Sequence, residues 1–323
     1  MPNYQGVWSL STQMQNDANW PKLLSGDIGV LGGGYSSAVG YLNVLQYISI
    51  ATTGNTKDFG DLLNAPYGLA AAGSSTRGVW FNGNPGGSYS NVIQYITFVS
   101  TGNAKDFGDS SDGSFYGAAT SNDTKALNAL GYTNSSASSN VVEEITIAST
   151  GNASDFGDQS ESKYKISACS STTRALFAGG QNAAGNSKLD VIDFLSFSTG
   201  GVASDFGNLA NAKEDTGAVS SNTRGVFAGG NVTGSISNVM EYVTIASTGN
   251  ATDFGDLSLA RYFPGTTSNS TRGVFMGGYY SGGDTNTMDY ITIASTGNAT
   301  DYGDTAQNLY ICAGASNSHG GIS

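Results

Sequence analysis

The sequence predicts an all-β chain built from six copies of one unit that closes on itself, and three observations carry that expectation. An acidic-aromatic-glycine triplet recurs at Asp58-Phe59-Gly60, Asp106-Phe107-Gly108, Asp155-Phe156-Gly157, Asp205-Phe206-Gly207, Asp253-Phe254-Gly255 and Asp301-Tyr302-Gly303. Successive copies stand 48, 49, 50, 48 and 48 residues apart, a period at which one repeat is one four-stranded blade of a β-propeller rather than a helical hairpin. The composition agrees: Gly 46 against Pro 5, much Ser, Thr and Asn, and only 13 Lys and Arg describe short strands joined by tight turns. Finally, the units at the two chain ends are incomplete in complementary ways.

Within a unit, Arg261 to Asp304 is the clearest copy. Residues 261–267 read as a first strand, a, and Arg272 to Gly278 as a second, b. The apolar-alternating run Thr287 to Ala294 reads as a third, c, and the stretch around Asp301-Tyr302-Gly303 as a short fourth, d. Strand b recurs near 28–34, 77–83, 125–131, 174–180, 224–230 and 272–278, and strand a near 67–73, 116–121, 164–170, 215–220, 262–268 and 309–315. The first b strand has no a strand before it, and the last a strand has no blade after it. Residues 309–315 are therefore expected to pair with residues 28–34, which removes two open sheet edges. The expected fold is a six-bladed β-propeller over residues 27–323, closed by its C-terminal strand, preceded by a non-repeat segment over residues 1–26.

Composition also limits function. A formal charge of −12 argues against nucleic acid as a partner, because binding a phosphate backbone requires clustered Lys and Arg. No charged start leads into an apolar run, so neither a secretory signal nor a membrane span is expected. Cys169 and Cys312 lie on strands of opposite repeats, too far apart to bridge, and two free, buried thiols are expected. His319 is the only histidine, so no metal site and no cofactor are expected. The Asp-Phe-Gly triplet lacks every other part of a kinase site and occurs six times, as blade grammar would. Its Asp is expected to cap a turn or to pair with the basic residue that opens strand b: Arg77, Lys125, Arg174, Arg224 or Arg272. Glu143-Glu144 and Glu214-Asp215 are paired carboxylates, but adjacent strand residues point to opposite faces, so no enzyme activity is expected and no catalytic residue is assigned.

Strands alternate in direction, so the a–b and c–d turns share one face and the b–c and d–a loops the other. The c–d turn barely varies: Thr53-Gly54-Asn55, Thr101-Gly102-Asn103, Thr150-Gly151-Asn152, Thr248-Gly249-Asn250 and Thr296-Gly297-Asn298, with Thr199-Gly200-Gly201 as the variant. Gly and Asn supply the positive φ that a tight turn demands. The b–c loops differ in length and chemistry and carry tyrosines beside Gly, Ser, Asn and Asp, a mixture of rigid aromatic area and adaptable hydrogen bonding. Tyr35, Tyr41, Tyr89, Tyr132, Tyr279, Tyr280 and Asp284 are the candidate ligand-binding residues. Trp8 and Trp20, both in the non-repeat segment, are candidate anchoring residues.

The repeat resembles the kelch repeat: double glycines at Gly33-Gly34, Gly179-Gly180, Gly229-Gly230 and Gly277-Gly278, and third-strand tyrosines at Tyr47, Tyr95, Tyr242 and Tyr290. It departs from that pattern where Phe or Tyr replaces the tryptophan, at Asn82-Gly83 and Leu130-Gly131, and at Glu144. The Gly6-Val7-Trp8 start, the Asn19-Trp20-Pro21 that follows and repeats such as Tyr290 to Asp304 look like propeller proteins of tailed bacteriophages, especially of marine and cyanobacterial hosts. That resemblance implies a virion structural protein made in the host cytoplasm, of the tail-fibre or adhesin kind. Its implied partners are other virion proteins, a host-surface glycan or protein, and a homo-oligomer. A head or tail decoration subunit and a carbohydrate-active enzyme are the alternatives.

Overall fold

The computed structural model describes residues 23–322 apart from Ser136 and Gly185. The fold is all-β, with no helix among the described residues and none long and apolar enough to cross a membrane. Trp8 and Trp20 lie outside the described residues. Six antiparallel runs of four strands follow one another along the chain, each ordered a-b-c-d. The second sheet is typical: Ala70–Gly73, Arg77–Phe81, Val92–Thr97 and Lys105–Asp109. The third and fourth sheets are joined into one eight-stranded sheet where Gly157 and Asp158 pair in parallel with Gly201 and Val202.

The first sheet takes its a strand from the far end of the chain. Ala313–Ser316 pairs antiparallel with Ile28–Gly32 in the register Gly29↔Ser316 to Gly32↔Ala313. Trp80 of the second sheet donates its indole N–H to the Ala313 carbonyl at 3.0 Å, which ties the returning strand to its next neighbour. The a strands begin about three residues later than the sequence predicts: Ala118–Ser121, Ser167–Ser170, Gly217–Ser220 and Gly265–Ser268 as well as the two already given. The cause is a left-handed residue ahead of each one, at Gly68, Tyr116, Lys165, Asp215, Phe263 and Ile311, which breaks the extended backbone.

The apolar core lies between sheets rather than within them. Six clusters each combine side chains of two consecutive sheets, and one joins the sixth sheet to the first through Val274, Met276, Met288 and Tyr302 against Leu31, Ile48 and Ile50. The repeated aromatic enters the cluster shared with the next sheet at every copy, Phe59 against Trp80 and Phe206 against Phe227 for example. Burying one such ring contributes about 1.5–3 kcal/mol. Tyr302, the one tyrosine among them, points its hydroxyl at the Ser49 and Thr52 carbonyls, 2.7 Å from each, and burial pushes its pKa up to about 12.

Polar contacts repeat the same sheet-to-sheet order. The Asn of a c–d turn accepts a backbone N–H from the d strand of the preceding sheet: Asp61 to Asn103, Asp109 to Asn152, Asn208 to Asn250, Asp256 to Asn298 and Asp304 to Asn55. The Thr-Gly-Asn sequence is therefore a clasp as well as a turn. A residue near the middle of each c strand likewise accepts a backbone N–H from the preceding sheet: Gln46 from Ala306, Gln94 from Leu63, Glu143 from Ser111, Asp193 from Ser160, Glu241 from Ala210 and Asp289 from Ser258. Three of these carboxylates also hold a buried cation, in Lys163–Asp193, Lys213–Glu241 and Arg261–Asp289 at 2.8–2.9 Å.

The basic residues that open the b strands do not pair with the triplet aspartates as expected. Arg77, Arg174, Arg224 and Arg272 stack over Tyr95, Phe194, Tyr242 and Tyr290. Each also donates to a carbonyl of the neighbouring sheet, Ile147, Ile245, Ile293 and, from the sixth sheet to the first, Ile50. Lys125 is the exception, pairing with Glu144 and lying over Phe156. A guanidinium on an aromatic face with a carbonyl at its edge satisfies both its charge and its N–H donors, whereas Asp58 and its counterparts at 106, 155, 205, 253 and 301 remain exposed to water. Cys169 and Cys312 are free and buried, and burial pushes both thiols up to about 12.

Candidate functional site

The six left-handed residues form a closed cycle of backbone hydrogen bonds. The N–H of Gly68 donates to the Ile311 carbonyl, Tyr116 to Gly68, Lys165 to Tyr116, Asp215 to Lys165, Phe263 to Asp215 and Ile311 to Phe263, at 2.6–3.2 Å. This cycle stands at the loop end of the a strands. At their other end Ser121, Ser170, Ser220, Ser268 and Ser316 each donate a hydroxyl to the carbonyl of the preceding a strand, Ser121 to Gly73 for example. Gly73 takes the sixth position, where a Cβ would come within 2.5 Å of the Ser316 carbonyl. The space between is lined by small side chains and closes on His319, whose Nε2 lies 3.0 Å from the Gly73 carbonyl and whose Nδ1 accepts the Gly321 N–H at 3.1 Å.

The residue before each left-handed position pairs with the residue just past the end of strand b. The pairs are Tyr310 with Tyr35, Tyr67 with Asn84, Phe115 with Tyr132, Tyr164 with Gln181, Glu214 with Asn231 and Tyr262 with Tyr279. Each pair fastens a d–a loop to a b–c loop, so the variable loops are built on a regular frame. Ten of the frame and cycle positions are occupied by aromatic rings and three more by amides, and the rings touch one another and the loop residue Tyr41: Tyr41 stacks on Tyr67 at 5.5 Å, Tyr35 meets Tyr41 and Tyr310, and Tyr310 meets Tyr279, which meets Tyr262. On the other side Tyr89 lies 4.4 Å from Phe115, and Tyr132 lies 5.4 Å from Tyr164. Tyr116 and Phe263, from the third and sixth sheets, stack at 5.2 Å across the centre.

The aromatic girdle is interrupted at the fifth sheet, where Glu214 takes the place held elsewhere by Tyr or Phe. The charged groups of the frame gather at that gap. Lys165 lies 3.1 Å from Glu214 and 3.7 Å from Asp215, and Lys188 lies 3.4 Å from Glu214. Glu214 also accepts the Asn231 amide at 3.1 Å. Burial pushes the Asp215 carboxyl well above the ordinary carboxylate range, with Lys165 pulling the other way. Burial works against the charge on Lys165, but Asp215 and Glu214 outweigh it and hold its pKa above the ordinary value. Tyr116 is raised strongly by burial and by its neighbour Tyr67.

Of the sequence-predicted residues, Tyr35, Tyr41, Tyr89, Tyr132 and Tyr279 belong to this girdle. Tyr280 stands outside it, half-buried and paired with Gly283. Asp284 accepts the Ser37 N–H at 2.9 Å, so it joins the loops of the sixth and first sheets. Burial disfavours its charge, but the bonds from Ser37 and Ser36 prevail and hold its carboxyl below the usual range. The inner residues Tyr67, Tyr116, Tyr164, Lys165, Asp215, Tyr262, Phe263 and Tyr310 escape a reading that assigns them to strand a, and Phe115 and Glu214, one residue ahead of the expected strands, escape it too. Nor do Glu214 and Asp215 point apart as strand neighbours would: the left-handed backbone at Asp215, φ 61°, brings both carboxylates to Lys165. No protein-family model matches the chain, and no curated protein is significantly similar to it.

Proposed function

We propose that the chain is a six-bladed, kelch-like β-propeller serving as a non-enzymatic structural protein of a tailed-phage virion, a tail fibre or adhesin that meets a host-surface receptor through its b–c and d–a loops. The observation that carries this reading is the difference between the two faces. The c–d turns are committed to holding sheets together through the Asn clasps. The opposite face displays half-exposed tyrosines on a rigid frame, and Tyr41 is 46% exposed, which suits recognition by aromatic contact with little ordering cost. Many copies on one particle reach useful avidity without a deep pocket.

The test is whether the purified chain blocks phage adsorption, and whether Tyr279→Ala with Tyr280→Ala weakens that block while the melting temperature holds. Failure of the intact chain to bind cells or to compete for adsorption refutes the adhesin reading. A decoration subunit that binds only virion proteins is the second reading. It is favoured by Leu23 and Val99, 83% and 61% exposed and brought together by the Leu23↔Ser100 bridge, an apolar patch on the turn side. Co-purification with capsid or tail proteins, without cell binding, would select it.

A further inference from the structure

A small pocket opens at the centre of the loop face, inside the cycle of left-handed residues, with a volume of about 90 Å³. Lys165 and Asp215 line one side, and Tyr116 and Phe263 supply aromatic wall. Three features mark it as more than a packing defect. Asp215 is buried and its Oδ1 has no hydrogen-bond partner, although buried carboxylate oxygens are normally satisfied. Tyr116, Lys165 and Phe263 all hold φ between 54° and 59°, a conformation rare for bulky side chains and concentrated at ligand sites. The ionisable groups of its lining also balance, one ammonium at Lys165 against one carboxyl at Asp215, 3.7 Å apart.

That balance selects the ligand. An anion would meet the Asp215 carboxyl, a cation would meet the Lys165 ammonium, and a purely apolar group would leave Asp215 Oδ1 unpaired. A hydroxyl both donates and accepts, and is neutral. We propose that this pocket binds a neutral saccharide, one of whose hydroxyl or hydroxymethyl groups donates to Asp215 and accepts from Lys165 while the C–H face of the ring lies against the neighbouring aromatics. The inference names the ligand class for the contact face proposed above and rests on that reading. Pockets with an aromatic lining and a few convergent polar groups are the usual form of such sites.

The experiment is saturation-transfer NMR on the full chain, with methyl glycosides of glucose, galactose and mannose as neutral probes and N-acetylneuraminic acid and glucosamine as charged ones. At least one neutral glycoside should receive saturation and the charged sugars should not. Asp215→Asn tolerates the left-handed backbone, and it should weaken the neutral signal about ten-fold, the scale set by one buried polar partner. Lys165→Met should do the same and decides the matter where Asp215→Asn fails to fold. No transfer to any neutral glycoside, equal transfer to a charged one, or full retention in both variants overturns the pocket. Binding of the chain to bacterial and cyanobacterial cells is scored in parallel. Cell binding without glycoside binding defeats the pocket and leaves the adhesin reading standing; glycoside binding without cell binding does the reverse.

Discussion

Replacing Arg261 alone should destabilise the protein far more than replacing it together with its partner. The Arg261 side chain is fully buried, 2.9 Å from Asp289, and it also donates to the Thr287 and Phe275 carbonyls. Leu at this position leaves a buried carboxylate uncompensated, which costs about 3–5 kcal/mol. For a chain of this length the unfolding entropy is about 0.7 kcal/mol/K, so a loss of about 4 kcal/mol lowers the melting temperature by about 6 °C. The first sheet already contains the neutral solution: Gln46 accepts the Ala306 N–H at 2.9 Å, and Leu309 stands where three other sheets place the cation. The double variant Arg261→Leu with Asp289→Gln transplants that arrangement and should recover all but about 1 kcal/mol, or about 1–2 °C. Scanning calorimetry of the three proteins tests this. A single variant within 1 °C of the parent, or a double variant no better than the single, rules out an uncompensated buried charge as the cause.

Two further outcomes follow from buried groups. Cys169 and Cys312, with thiols pushed up to about 12 by burial, should resist a thiol-specific reagent at neutral pH and react fully only after denaturation; rapid labelling of the native protein contradicts their burial. Burial holds the His319 imidazole below its ordinary value of 6.5 despite the opposing Gly73 carbonyl and Asp123. Its contribution to stability is therefore complete above about pH 6.5 and is lost as pH falls toward the folded value. Asp215 has the opposite sign: its raised pKa gives stability present in acid and lost as pH rises through the folded value. Between pH 8 and pH 5 the two contributions oppose each other, so His319→Gln should delete the histidine part and leave a melting temperature that rises more on acidification than the parent's; a pH profile identical to the parent's refutes the assignment.

The strands and their order were legible in the sequence because period-two apolar runs and glycine punctuation are local signals. The return of the C-terminal strand was legible because the first and last units were each missing what the other supplied, and the register Gly29↔Ser316 meets that need. The late start of strand a was not. Tyr116, Lys165, Phe263 and Ile311 are residue types that avoid a left-handed backbone, and only the cycle of hydrogen bonds between neighbours keeps them there. The inner frame did leave a trace, since positions 67, 115, 164, 214, 262 and 310 repeat at the spacing of the aromatic triplet and are aromatic at all but Glu214. The clasp made by Asn55 and its counterparts was hidden for another reason: a turn explains Thr-Gly-Asn within one repeat, and the partner N–H belongs to another sheet.

The sixth sheet locks onto the first, which brings all the variable loops to one face. Asn55 and Asp304 are both exposed, and the Asn55 side-chain carbonyl accepts the Asp304 N–H at 3.0 Å across that junction, a proximity that suits a disulfide, which requires Cα atoms within about 7 Å. With Cys169 and Cys312 replaced by Ser, the variant Asn55→Cys with Asp304→Cys should oxidise to a single intramolecular crosslink in near-complete yield, seen as a mobility shift on non-reducing gels. Two thiols that stay free, or that crosslink only between molecules, would contradict the closed arrangement.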